Sequence, residues 1–420
     1  MGLTWINNDS FITKELYAPF VVEKDSDYLP DLSSRYNILL KRAQRSGADE
    51  ESTEIITRYK QKILEALSNY NKADIAQCYT IIEGLIKDIG HNPLAVDTVK
   101  QSSAFPGKLG SEVQFFRGRI GNPSCSYVAK DMLHLPKSRR AKTGNYRFSI
   151  PGNPSFYLAN SSYGCWIEIG FPSYIEFNVA PVVLDETQKV FNLAVSVRDF
   201  DSMNEFENDR VHCWLKLFML KIATSYRINE DKRTFKSEYI ISQAVMISCK
   251  RMGYDGVAYF SRRVSDEAFA LCAINLALFV DYDDGEYSPL IKHIKMDRPL
   301  NYFEFKQLCQ SLKYGECNSS LRTVNNPYIT NIGDYSKQYP YRETEFFEFD
   351  KFLFASWKKD ESPWGVPVEQ RIESEVLVSL SYVSLDDMTR TEGVEPIPGW
   401  GPKGISREPE WFRCGRGAPR

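Results

Sequence analysis

The sequence predicts an α+β protein, and three observations predict it. Residues 30–90 repeat apolar side chains at three- and four-residue intervals, the period of amphipathic helices. From about residue 112 the chain breaks into short apolar runs bounded by Pro, Gly and Asn, which is strand texture. Two further helical stretches, 205–224 and 237–252, sit among those runs. Grouped helices between short strands make an α+β domain rather than an alternating α/β one.

In chain order, Ile55, Ile56, Tyr59, Ile63, Leu64 and Leu67 form one apolar stripe, and Ile75, Cys78, Tyr79, Ile82, Leu85 and Ile86 a second. Asn69–Lys72 separates them, and Gly90 and Pro93 close the second, so a helical hairpin is expected. Such a hairpin needs a partner surface, and docking on the chain's own domain is the expected use. Strands are expected over 113–116, 156–159, 175–182, 190–195, 257–260 and 276–279. Pro151-Gly152 and Asn153-Pro154 read as turns, with Gly152 suited to positive φ. The helix over 237–252 should end at Gly253. Residues 346–357 are rich in aromatics, and 376–380 has strand character.

Composition excludes several function classes. A net charge of −3 and a pI near 6.0 argue against non-specific nucleic-acid binding. Short basic clusters, as at Lys137-Ser138-Arg139-Arg140, read as solvated faces. Nine scattered cysteines without a Cys-x-x-Cys read as reduced thiols of a cytoplasmic protein. With four histidines and no ligand pair beside His212-Cys213, no metal site is expected. No apolar run is long enough to span a bilayer, so no membrane association is expected. The opening MGLTWINNDSF lacks the features of a signal peptide.

The chemistry concentrates in YRFSIPGNPSFYLANSSYGCWIEI, residues 146–169, where Arg147, Tyr157 and Glu168 follow one another at nearly even spacing. Arg carries a planar donor fork suited to phosphate oxygens. Tyr brings a flat face with a polar handle. A carboxylate stabilises positive charge growing on a sugar carbon as a glycosidic bond breaks. Glu168 stands among Trp166, Ile167 and Ile169, where a carboxylate is expected to face a cleft rather than solvent. Taken alone, each residue has a blander reading: a solvated Arg, a half-buried strand Tyr, and for Ser261 a hydroxyl closing a strand end. Tyr239 and Gln243 read as structural residues of their helix.

This stretch resembles the RES-domain family, and within it a longer-chain branch. The features that carry the likeness are Phe116-Arg117, Arg147, Ile150-Pro151-Gly152, Tyr157-Leu158-Ala159, Glu168, and the run EYIISQ…GYDGVAYFS ending at Ser261. They occur in family order over 112–281. The sequence departs from the family at Asn145-Tyr146, where many members have Gly-Gly. The resemblance implies an ADP-ribosyltransferase-like fold and an enzyme that consumes NAD as substrate, with no separate cofactor. It assigns Arg147 to gripping the diphosphate or adenosine ribose and Tyr157 to stacking on nicotinamide or its ribose. Glu168 would hold a ribose hydroxyl and stabilise an oxocarbenium-like transition state. Arg117 or Arg119, which share one side of a strand, would contact ligand, and Ser261 would orient the ribose or the carboxylate.

On this likeness residues 1–105 form an N-terminal helical region, 106–285 the catalytic domain and 286–387 an extension packing on it. Residues 388–420 form a tail expected to be disordered. The implied role is a cytoplasmic toxin of a toxin–antitoxin or phage-defence system, neutralised by a helix-turn-helix antitoxin. The helical hairpin is an alternative antitoxin or homo-oligomer surface. Two other functions remain open: ADP-ribosyl transfer to a protein or nucleic acid, and a non-catalytic nucleotide-binding or interaction module.

Overall fold

A computed structural model describes residues 14–105, 113–122, 127–184, 187–196, 208–229, 233–264, 267–283, 285–311, 328–333 and 337–355. The strand expected over 376–380 and the tail expected over 388–420 lie outside them.

Among the described residues the N-terminal region holds three α-helices where the stripes predict two. After β1 (Phe20–Val21) come α1 (Tyr28–Arg45), α2 (Glu50–Asn71) and α3 (Ile75–Ile89). Leu32, Tyr36, Leu39 and Ala43 make the stripe of the extra helix. Asp49 caps α2 by accepting the Ser52 N–H at 2.7 Å, and Asp74 caps α3 by accepting from Gln77 N at 3.1 Å. Gly90, at φ 74°, ends α3.

The chain then runs through β2 (Val96–Thr98), β3 (Val113–Ile120), α4 (Ala129–Met132), β4 (Ser155–Ala159), α5 (Ser162–Glu168), β5 (Phe177–Leu184) and β6 (Lys189–Asn192). Next come α6 (Asn208–Ala223), β7 (Tyr226–Arg227), α7 (Ile240–Arg251), β8 (Gly256–Phe260), β9 (Ile274–Phe279), β10 (Ile294–Met296) and β11 (Leu300–Asn301). Last are α8 (Tyr302–Ser311), β12 (Asn331–Gly333), β13 (Gln338–Pro340) and α9 (Glu345–Ala355). Two expected strands are shorter at one end. Tyr174–Glu176 form a tight 3-10 turn before β5. β6 stops at Asn192 because its side chain takes the Ala194 N–H (2.8 Å) and donates to Leu94 O (3.1 Å), turning the chain away. Gly253 follows α7 at φ 76°, as the sequence predicts.

The architecture is α+β. A nine-stranded sheet runs β10-β5-β3-β4-β9-β8-β6-β2, with β11 also on β5; only β6 and β8 pair in parallel. One face carries Phe156, Leu158, Leu276 and Phe260 and packs against Phe105, Met132 and Leu133. The other face carries two helical groups. α1, α2, α3, α6 and α7 share one core over Phe191, Val257, Tyr259 and Ala277. α5, α8 and α9 cover Phe116, Phe177 and Val179 on the neighbouring strands. The N-terminal helices therefore spend their apolar faces on α6 and α7 of the same chain. β1 pairs with β7, Phe20 opposite Tyr226, which ties the N-terminal layer to the segment following α6.

Candidate functional site

The candidate site lies on the sheet face where the two helical groups meet. Register fixes which side chains share it. Tyr157 pairs with Ala277, and Tyr259 and Ala159 both pair with Asn275, so all five point to one side. Ser261 continues that row one step beyond β8, with its N–H on Ala273 O at 2.9 Å.

Glu168 ends α5 and reaches this row. Its Oε2 accepts from Ser261 Oγ and, at 3.0 Å, from Asn275 Nδ2. Both donors are fully or almost fully buried, so the carboxylate is held by neutral groups that cannot move to water. Among the described residues Glu168 pairs with no cation. The short α5 lies close on the sheet: a Cβ on Gly118 of β3 would stand 2.7 Å from the Cys165 Cβ.

Tyr157 occupies a half-buried position on β4, its hydroxyl 2.8 Å from Ser149 Oγ. Burial holds its phenol above the ordinary range, and the charges of Tyr239 and Glu168 push the same way against the Ser149 hydrogen bond. Tyr259 is raised first by burial, then by Glu168 and Tyr157, and opposed by Arg147. One phenol thus lies within electrostatic reach of all three residues singled out in the sequence.

Arg147 is 8% exposed, and its fork donates to Thr224 O and, at 2.6 Å, to Tyr226 O, just beyond α6. Its guanidinium carbon sits 5.1 Å from the Tyr239 ring centre, a cation–π distance. These contacts fix the charge and leave further N–H donors on the fork. Gln243 on α7 holds the preceding loop, its Nε2 reaching Tyr146 O (3.0 Å) and Ser149 O (3.1 Å). Gly152 takes φ 81° in the turn back to β4, as its sequence context predicts.

Arg117 and Arg119 are not brought to this face. Phe116 pairs with Ala159 and shares its side, so by alternation Arg117 projects from the opposite one. There it donates to Met132 O (3.1 Å) and Tyr157 O (2.8 Å) and lies 5.2 Å from the Phe156 ring centre. Burial pushes the Arg117 pKa down to about 10. Arg119, exposed, donates to Asp131 O.

Sequence reasoning missed Asn275, Tyr259 and Ser149, and read Tyr239 and Gln243 as structural only. Asn275 left one signal, a lone amide in the apolar run INLALF. Tyr239 left none, because its Arg147 contact joins residues far apart in the chain.

Three comparisons with known proteins give the following likenesses. Residues 118–297 match the model of the RES domain. That segment is therefore similar to RES domains. A curated relative, "Putative toxin YopC" of Bacillus subtilis (strain 168), is 27% identical over 270 residues, covering 59% of this chain. The chain spans 58% of that relative's own length. A crystal structure of the M. tuberculosis MbcT–MbcA toxin–antitoxin complex aligns at 14% identity over 54% of this chain and 97% of that one. Its TM-score is 0.28, a likeness that carries no weight here. The matched RES segment contains Arg147, Tyr157, Glu168, Ser261 and Asn275, and ends before α8 and α9. No helix among the described residues is long and apolar enough to cross a membrane.

Proposed function

We propose that this protein cleaves the nicotinamide–ribose bond of NAD and acts as a toxin. The observation that carries the reading is the separation of charge in the site. Glu168 is bound by a hydroxyl and an amide, Arg147 by backbone carbonyls and a ring, and neither neutralises the other. NAD has the complementary pattern, a cationic pyridinium near one end and an anionic diphosphate in the middle. Arg147 grips the diphosphate side, Tyr157 stacks on nicotinamide or its ribose, and Ser261 orients Glu168. Arg117 and Arg119 serve the neighbouring strand and loop instead of the substrate.

In the reaction the ribose C1′–N bond breaks and its electron pair goes to the pyridinium nitrogen, releasing neutral nicotinamide. Positive charge passes to the ribosyl carbon and ring oxygen. Glu168 stabilises it because the charge develops only in the transition state. Water or phosphate then closes C1′, giving ADP-ribose or its phosphorylated form, and the proton leaves with solvent. NAD is substrate here, and no further cofactor takes part. A protein that empties a central cofactor pool needs a neutralising partner, so an antitoxin and a cytoplasmic setting belong to this reading. The name of the YopC relative supports the toxin role.

Incubating the purified chain with NAD tests it. Nicotinamide with matching free ADP-ribose is expected, and Glu168→Ala should lower the rate by about 10²–10⁴-fold without unfolding the protein. Label appearing on protein or nucleic acid would indicate transfer, and intact NAD a binding module. A folded Glu168→Ala variant with full turnover would refute the assignment.

A further inference from the structure

Arg147, Tyr157, Glu168 and Ser261 lie inside the RES match, but the helix that carries Glu168 is held from outside it. α5 has seven residues, too few to be stable by itself. Its first turn is secured at several points. Ser161 caps it, accepting the Gly164 N–H at 2.9 Å while donating to Cys272 O at 2.6 Å. The Ser162 N–H goes to Asp350 Oδ1 on α9, at 3.0 Å. Asp350 is fully buried, and its second oxygen accepts the Tyr341 hydroxyl at 2.5 Å. Just upstream, Asn160 Nδ2 donates to the Tyr328 hydroxyl at 2.9 Å. Tyr163 and Trp166 of α5 pack on Phe346, with ring centres 5.2 and 5.3 Å away. Every outside partner, 328, 341, 346 and 350, follows residue 297, where the RES match ends.

We infer that Asp350 is a positioning residue for Glu168, and that the α8–α9 layer completes the catalytic unit of this chain. A buried carboxylate facing a helix N-terminus is bound by charge-assisted hydrogen bonding and by the helix dipole together. It therefore fixes the end of α5 more firmly than a neutral cap. Glu168 lies at the other end of the same helix, about 9 Å from Ser162 at helical rise. A tilt at Ser162 is carried by this rigid lever to the carboxylate. Displacing it by about 1 Å from Ser261 and Asn275 is enough to lose about 10²-fold in rate. Arg147, which would grip the diphosphate, is anchored on Thr224 O and Tyr226 O after α6, so substrate affinity should be kept.

This inference rests on the NAD-cleaving reading, so its test carries one readout independent of NAD. With full-length protein, Asp350→Ala should lower kcat for nicotinamide release by about 10²-fold and leave KM within about threefold. Asp350→Asn should recover most of the loss, since Asn still accepts from Ser162 N–H. In parallel, amide hydrogen exchange should accelerate over 162–168 in Asp350→Ala while β4, β8 and β9 stay protected. If Asp350→Ala does not fold, Tyr341→Phe removes one hydroxyl and should still lower kcat severalfold at unchanged KM. Wild-type kcat in folded Asp350→Ala, wild-type kcat in Tyr341→Phe, or unchanged exchange over 162–168 would each overturn the inference. Faster exchange there in a protein whose wild type releases no nicotinamide would uphold the mechanical link and sink the NAD reading instead.

Discussion

The two charged groups of the candidate site are anchored by opposite means. On one side Arg147 is tied to main-chain carbonyls after α6. That segment is bonded in turn to the N-terminal layer: Tyr28 Oη donates to Ala223 O at 2.8 Å, and Tyr226 Oη to Asp31 at 2.6 Å. On the other side Glu168 is gripped by side-chain donors from the sheet, and its helix by a carboxylate from the C-terminal layer. The cation is thus part of the framework, whereas the anion is a terminal group on a short lever. Changes at Arg147 should read out first as stability, and changes around Glu168 first as rate.

The largest effect that can break this contrast is Arg147→Ala. Removing the guanidinium orphans two buried acceptors at about 1–3 kcal/mol each, so about 2–6 kcal/mol of stability should go, measured by urea denaturation. Arg147→Lys, which cannot bridge both carbonyls, should fall between. If Arg147→Ala keeps wild-type stability and only loses turnover, the framework role is wrong. Relief of growth arrest by the same variant on expression would tie the residue to toxicity.

A medium effect separates the ring of Tyr157 from its hydroxyl. Tyr157→Phe loses the Ser149 contact and should cost about 1 kcal/mol with little change in KM. Tyr157→Ala removes the stacking face and should raise KM for NAD about tenfold, taking ring stacking at about 1–1.5 kcal/mol. Equal KM in both variants would remove Tyr157 from the substrate surface.

How much of this was legible in the sequence follows from the range of each interaction. Helical stripes, the Gly152 turn and the Gly253 stop are local, so periodicity and backbone chemistry disclose them. Arg147, Tyr157 and Glu168 cluster within one short stretch and carry chemical types that suit the site, so a motif finds them. Arg117 shows the limit. An Arg inside an apolar strand must find acceptors, but the sequence alone does not say that Met132 and Tyr157 carbonyls supply them on the far face. Asn275 and Asp350 come from segments far downstream of Glu168, and polarity at such a position becomes meaningful only once strands and helices are paired.

The smallest effect sharpens the framework side. Asp49 caps α2 and lies 3.5 Å from His212 on α6, so it joins the N-terminal layer to the helix that presents the Arg147 anchors. Partial burial raises its carboxyl pKa, but the Ser52 N–H, the Ser52 hydroxyl and the His212 charge outweigh that and leave it below the ordinary value. A group depressed in the folded state stabilises the protein above its unfolded pKa, near 4, and that contribution fades as pH falls through the folded value. Asp49→Ala should therefore cost about 0.5–2 kcal/mol at neutral pH, the usual worth of an N-cap, and less in acid. Urea midpoints at pH 7 and pH 3 should converge for wild type and variant. A gap that widens in acid would mean that Asp49 acts through something other than its charged cap.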